Sequence, residues 1–138
     1  MTPTRIQRKR TKNWKMPENT LSVTRPGKWG NMFVVGRPLS GAAGLTFDEM
    51  YAFGDFRECP AYLDNMDWLT YGIRGHAIQS AETASRLFRQ YCEWRRATNP
   101  YSFRKWIAPL RGKNLACFCP ISQPCHADVL LEIANEKI

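Results

Sequence analysis

The stretch that most constrains the fold is residues 114–136, where the apolar run NLACFC passes through the turn PISQP into CHADVLLEIANE. A six-residue run in which only Asn114 is polar is strand-sized, and it reads as a strand buried on both faces, the kind that sits inside a parallel sheet. The segment after it places Val129, Leu130, Ile133 and Ala134 on one face at helical spacing. Strand, short turn and helix in direct succession is the unit from which α/β domains are assembled.

The rest of the chain fits that frame. A helix from about Ser80 to Ala97 carries an apolar stripe of Ala84, Leu87, Phe88, Tyr91 and Trp94, repeating at three and four. Asn99-Pro100 supplies an N-cap and a first helical proline for a second helix. Phe103, Trp106, Ile107 and Leu110 form its buried face, and Pro109 and Gly112 stop it. TLSVTRP and GNMFVVG each read as a short strand, the second punctuated by Gly30 and Gly36. Thr46 can cap a helix from Phe47, with Asp48 and Glu49 suited to the helix dipole. Residues 37–46 form a glycine-rich loop without the Lys-Ser/Thr of a phosphate-binding loop. Residues 55–77 read as mostly irregular, with a short helix around 61–70. The expectation is a single small α/β domain over residues 20–138, a short mainly parallel or mixed sheet with flanking helices, preceded by a basic N-terminal arm over residues 1–19.

Charge is concentrated at the front. Residues 1–28 hold Arg5, Arg8, Lys9, Arg10, Lys12, Lys15, Arg25 and Lys28 against the single acid Glu18, so they carry +7 of the total +8. Such density suits phosphate backbones, where neutralising each phosphate releases a counterion, although a solubilising arm looks the same. Pro3 and Pro17 keep the arm irregular, while Trp14 and Met16 give it a means of docking on the domain or stacking on a base. No apolar run approaches the roughly 20 residues of a membrane span, and none follows the positive N-terminus as a signal peptide requires. A cytoplasmic protein without a membrane partner is expected. Five cysteines, an odd number without framework spacing, agree with a reducing compartment.

The densest chemistry lies at Cys117, Cys119, Cys125 and His126. On a strand, Cys117 and Cys119 face the same way and Phe118 turns into the core. Pro124 pre-sets the first turn of the last helix, which puts Cys125 and His126 at its N-terminus. Three readings stay open. Cys125 could be a thiolate lowered by the helix dipole, with His126 beside it and Asp128 one turn on, or the same amides could take an anion. The four residues could instead hold zinc as a Cys₃His tetrahedron. Against zinc stand gaps of one and zero residues, and neighbours that leave a helix about 100° apart. Finally, buried cysteines can be plain packing. Cys92 belongs with the core, Cys59 with a loop, and His76 has nothing that places it near the cluster.

The segments TRIQRKRTKNWKMPENTLSVTRPGKWGNMFVVG and LRGKNLACFCPISQPCHADVLLEIAN resemble the family catalogued as "domain of unknown function 4326". Its pattern, Gly-Arg-Pro then Lys-Trp-Gly-Asn-Pro-Phe, appears here as Thr24-Arg25-Pro26 and Lys28-Trp29-Gly30-Asn31-Met32-Phe33. Thr24 and Met32 depart from it, and Phe118 stands where tryptophan is common. The Cys…Cys-His ending is also similar to "domain of unknown function 488". Members of the first family occur in bacteria and their phages, so the resemblance implies a bacteriophage-type protein working in the cytoplasm of the host bacterium. It suggests Arg25, Trp29, Asn31, Cys117, Cys119, Cys125, His126 and Asp128 as a site, with Arg25 and Asn31 as anion or base-edge contacts.

Two classes of function follow. In the first, the protein binds or processes a nucleotide or nucleic acid. Arg5, Arg8, Lys9, Arg10, Lys12, Arg25, Lys28, Trp29 and Asn31 form the phosphate and base contacts. An enzyme of this kind would be a transferase or hydrolase with Cys119 or Cys125 as nucleophile and His126 or Asp128 as acid/base. In the second, it is a non-catalytic module that binds nucleic acid or a host protein. Its Cys117, Cys119, Cys125 and His126 are then structural, with zinc or without any cofactor.

Overall fold

The computed structural model describes residues 2–25, 27–39 and 62–136. The helix expected from Phe47, most of the glycine-rich loop and Cys59 lie outside the described residues.

The apolar run at 114–119 does become the centre of the sheet. β3 (Asn114–Cys117) is flanked by β1 (Arg5–Gln7) and β2 (Thr20–Ser22) in the order β1-β3-β2, with both pairings parallel. Ile6 pairs with Ala116 and Leu21 with Leu115. Leu115 and Ala116 are fully buried, as a strand covered on both faces must be.

Three stretches differ from the sequence expectation. Residues 5–7, read as irregular, form an edge strand. Three residues are too few to show a period of their own, and the pairing comes from β3. The Arg8 N–H donates to the Cys117 carbonyl at 2.8 Å, and the Asn114 side chain accepts the Thr4 N–H at 2.9 Å. GNMFVVG is not a strand: among the described residues, 31–34 join no ladder. Asn31 Oδ1 takes the Phe33 N–H at 2.8 Å, and this local bond turns the chain so that Phe33 drops into the core. Within 62–77, α1 (Asn65–Asp67) runs into a π-helical turn (Trp68–Ile73), so more of this stretch is helical than composition suggests. Asp64 caps it by accepting the Asp67 N–H at 2.6 Å, and the buried Asp67 carboxylate is held by Arg86 at 2.7 Å and Gln90 at 2.9 Å.

The remaining helices start where their caps dictate. Ser80 caps α2 (Ala81–Thr98) through the Thr83 N–H, and Asn99 caps α3 (Pro100–Ile107) through the Ser102 N–H. Each such cap is worth about 1 kcal/mol. A 3₁₀ turn (Ala108–Leu110) leads back to β3, and α4 (His126–Ala134) closes the domain. α2 and α4 bury Leu87, Phe88 and Cys92 against Val129, Leu130 and Ile133, one continuous core with Leu115. Among the described residues, no helix is long and apolar enough to cross a membrane.

Candidate functional site

Because the three strands are parallel, their carboxyl ends meet at one edge, where the ligands of open α/β sheets collect. Arg10 follows β1, Thr24 and Arg25 follow β2, Cys117 ends β3 and Cys119 follows it. Together with His126 at the start of α4, they line a cavity of about 370 Å³.

The cluster expected at this edge is assembled. Ligand atoms of Cys117, Cys125 and His126 all lie within 4.8 Å of one another, and Cys119 Sγ stands 3.6 Å from Cys117 Sγ. Cys117, Cys125 and His126 are buried, whereas Cys119 is half-buried on the cavity wall. Cys125 is the N-cap, with extended backbone (φ −144°, ψ 150°), so it does not leave the helix as a helical residue would. Its sulfur turns back to 3.5 Å from His126 Nδ1. That removes the angular objection raised by their adjacency. Pro124 correspondingly lies before the cap and not in the first helical turn.

His126 is fixed on both sides. Its Nε2 meets the Val23 carbonyl oxygen at 2.7 Å, a contact that requires Nε2–H, so the lone pair sits on Nδ1 and faces Cys125. Phe88 of α2 packs edge-on against the ring at 5.3 Å. Burial pushes the imidazole pKa down, which keeps it neutral.

The sulfurs share their protons unequally. Hydrogen bonds from Cys119 and then Cys125 push the Cys117 thiol pKa down, while the same contacts push Cys119 and Cys125 up. The three sulfurs thus form one coupled group in which the contacts favour the charged form at Cys117 and the neutral form at Cys125. The amides of α4 are also engaged: Cys125 Sγ accepts the Ala127 N–H at 3.5 Å, and the Cys125 carbonyl accepts the Asp128 N–H at 3.0 Å.

Asp128 closes the capping box by accepting the Cys125 N–H at 3.3 Å, and its carboxylate binds Arg5 at 3.0 Å. It is not among the described residues that line the cavity. Arg5 also donates to the carbonyls of Pro120 (3.3 Å) and Ile121 (2.6 Å), so it staples the edge strand to the turn that carries the cluster. Arg8 donates to the hydroxyls of Ser22 (3.0 Å) and Thr24 (3.2 Å).

The Arg8 and Arg10 guanidiniums lie over the Phe118 ring at 4.7 and 4.6 Å. Phe118 is half-buried beneath them instead of entering the core, because β3 ends at Cys117 and the alternation stops with it. Arg10 and Arg25 are exposed at the cavity, Arg25 with one N–H on the Asn31 carbonyl at 3.1 Å. Buried Asn31 spends its side chain on the Phe33 N–H and the Ala84 carbonyl. Lys9, Lys12 and Lys28 are exposed on the surface and, with Trp29, do not line the cavity among the described residues. Trp29 and Trp106 exchange indole N–H bonds, Trp29 Nε1 to the Trp106 carbonyl and Trp106 Nε1 to that of Lys28, locking this loop to α3. His76 is exposed and contributes nothing to the group formed by Cys117, Cys125 and His126.

The family model for the domain of unknown function (DUF4326) matches residues 6–136. The chain belongs to this family. No curated protein and no solved structure matches it. The match takes in Ile6 and Gln7 of β1 and all of α4, so it reaches into the strand contributed by the basic segment.

This DUF4326 chain also uses residues that sequence inspection passes over. Ser22 and Thr24 both serve Arg8, which their period-two spacing in TLSVT could have shown. The Val23 carbonyl that orients His126 is a backbone atom, with no signal in the sequence.

Proposed function

We propose that this chain binds the phosphate-bearing part of a nucleotide in the cavity at the carboxyl edge of its sheet. The observation that carries this reading is that two exposed guanidiniums, Arg10 and Arg25, line the same cavity as Thr24 and Cys119. Arginine presents forked N–H donors that match phosphate oxygens, and after its bond to Asn31 the Arg25 fork retains further N–H groups for a ligand. A volume of about 370 Å³ falls in the range of small-molecule sites, roughly 300–1,000 Å³. A polymer would need the longer exposed path along Lys9 and Lys12, and counterion release there would add salt-dependent affinity.

Calorimetric titration with nucleoside mono- and diphosphates at two salt concentrations tests this. Binding that weakens about tenfold or more in Arg25→Ala, and little in Lys12→Ala, is the expected result, a tenfold change being about 1.4 kcal/mol. Equal affinity in wild type and in Arg10→Ala/Arg25→Ala would remove the assignment.

A further inference from the structure

We propose that Cys117, Cys119, Cys125 and Nδ1 of His126 form a zinc site that ties the end of β3 to the start of α4. It is drawn from the geometry of the cluster and stands whether or not the cavity takes a nucleotide.

Spacing is the first support. Zinc–sulfur bonds of about 2.3 Å and zinc–nitrogen bonds of about 2.0–2.1 Å at tetrahedral angles require S···S edges of roughly 3.8 Å and S···N edges of roughly 3.6 Å. Cys117 Sγ and Cys119 Sγ are 3.6 Å apart, and Cys125 Sγ and His126 Nδ1 are 3.5 Å apart. Cys117, Cys125 and His126 hold their donor atoms within 4.8 Å of one another, so the widest of these edges must close by about 1 Å around an ion, and Cys119 joins them through its contact with Cys117.

The imidazole gives an independent second support. A histidine that binds a metal usually donates its other ring N–H to a carbonyl or carboxylate, which fixes the tautomer and aims the lone pair. His126 has this arrangement already: Nε2 is committed to the Val23 carbonyl at 2.7 Å and Nδ1 points at the sulfurs. Phe88 prevents the ring from turning away. Thiolate and imidazole ligands select zinc over magnesium, calcium or manganese, which prefer oxygen. The half-buried Cys119 leaves the ion a way in from the cavity, while its three companions are buried. Each coordinating thiol releases its proton to solvent as the S–Zn bond forms, and no electron moves.

The test uses the full chain, reduced and stripped of metal, then loaded with zinc or cobalt(II). About one tightly held zinc per chain is expected, and cobalt should show a tetrahedral spectrum with thiolate charge transfer. Cys119→Ala should lose about a third of that charge transfer, since one of three thiolates is gone. Cys117→Ser should weaken zinc by about 10-fold or more, with Cys92→Ser unchanged as control. The wild-type result decides even where a cysteine variant fails to fold. Folded, reduced wild type that retains no zinc, or that gives an octahedral cobalt spectrum, overturns the site. An unchanged spectrum in Cys119→Ala overturns the four-ligand set.

Discussion

Arg5 and Asp128, 123 positions apart in sequence, meet at 3.0 Å across the edge of the sheet. The Arg5 side chain is 8% exposed and Asp128 is 52% exposed, so the ion pair alone contributes at most about 1 kcal/mol. The Pro120 and Ile121 carbonyls accept from the same guanidinium, and charge-assisted bonds of this kind are worth roughly 1.5–3 kcal/mol each. Arg5→Met should therefore lower unfolding stability by about 3 kcal/mol or more in urea titration, and Asp128→Asn by about 1 kcal/mol or less. Equal losses would place the energy in the pair and not in the carbonyls.

Cys92 supplies a pH prediction. Burial among the packed faces of α2 pushes its thiol up to about 12. A raised folded value means that the neutral thiol stabilises the native state fully below the unfolded value, about 8.5, and that this contribution disappears as pH climbs toward 12. Unfolding free energy should fall between about pH 9 and 12 in wild type, and Cys92→Ala should flatten that slope although its baseline is lower. Parallel curves for the two proteins would show that Cys92 is not the group responsible.

Gly30 decides how Arg25 is presented. A Cβ there would stand 2.9 Å from Arg25 Cα and 3.0 Å from its nitrogen, which forces Arg25 and residue 30 apart. Gly30→Ala should weaken nucleotide binding about tenfold, read by calorimetry, with the metal content of the cluster unaltered. Unchanged affinity would mean that the Arg25 backbone position does not matter for the ligand.

The parts of the fold legible in the sequence are those whose cause is local. Ser80 and Asn99 open helices because their own side chains satisfy the first amides, and the stripes of α2 and α4 follow from one period. β3 declared itself as a run that only two-sided burial explains. β1 was hidden because an edge strand of three residues borrows its order from Asn114 and Cys117, far along the chain. GNMFVVG misled because its apolar content signals Phe33 burial, while Asn31 sets the backbone path. Within the candidate site, alternation leads one to expect Cys117 and Cys119 on one face, yet β3 ends at Cys117, so the bend after the strand sets their 3.6 Å contact. The meeting of Cys125 with His126 is hidden from helical spacing because Cys125 is a capping residue whose backbone is extended.

The most direct test of the central claim is an amide NMR titration of the full chain with a nucleoside monophosphate at moderate salt. Shifts centred on Thr24, Arg25, Phe118 and Cys119 are predicted, since these residues line the cavity. Shifts confined to Lys9–Lys15 that vanish as salt rises, or none at millimolar ligand, would contradict it.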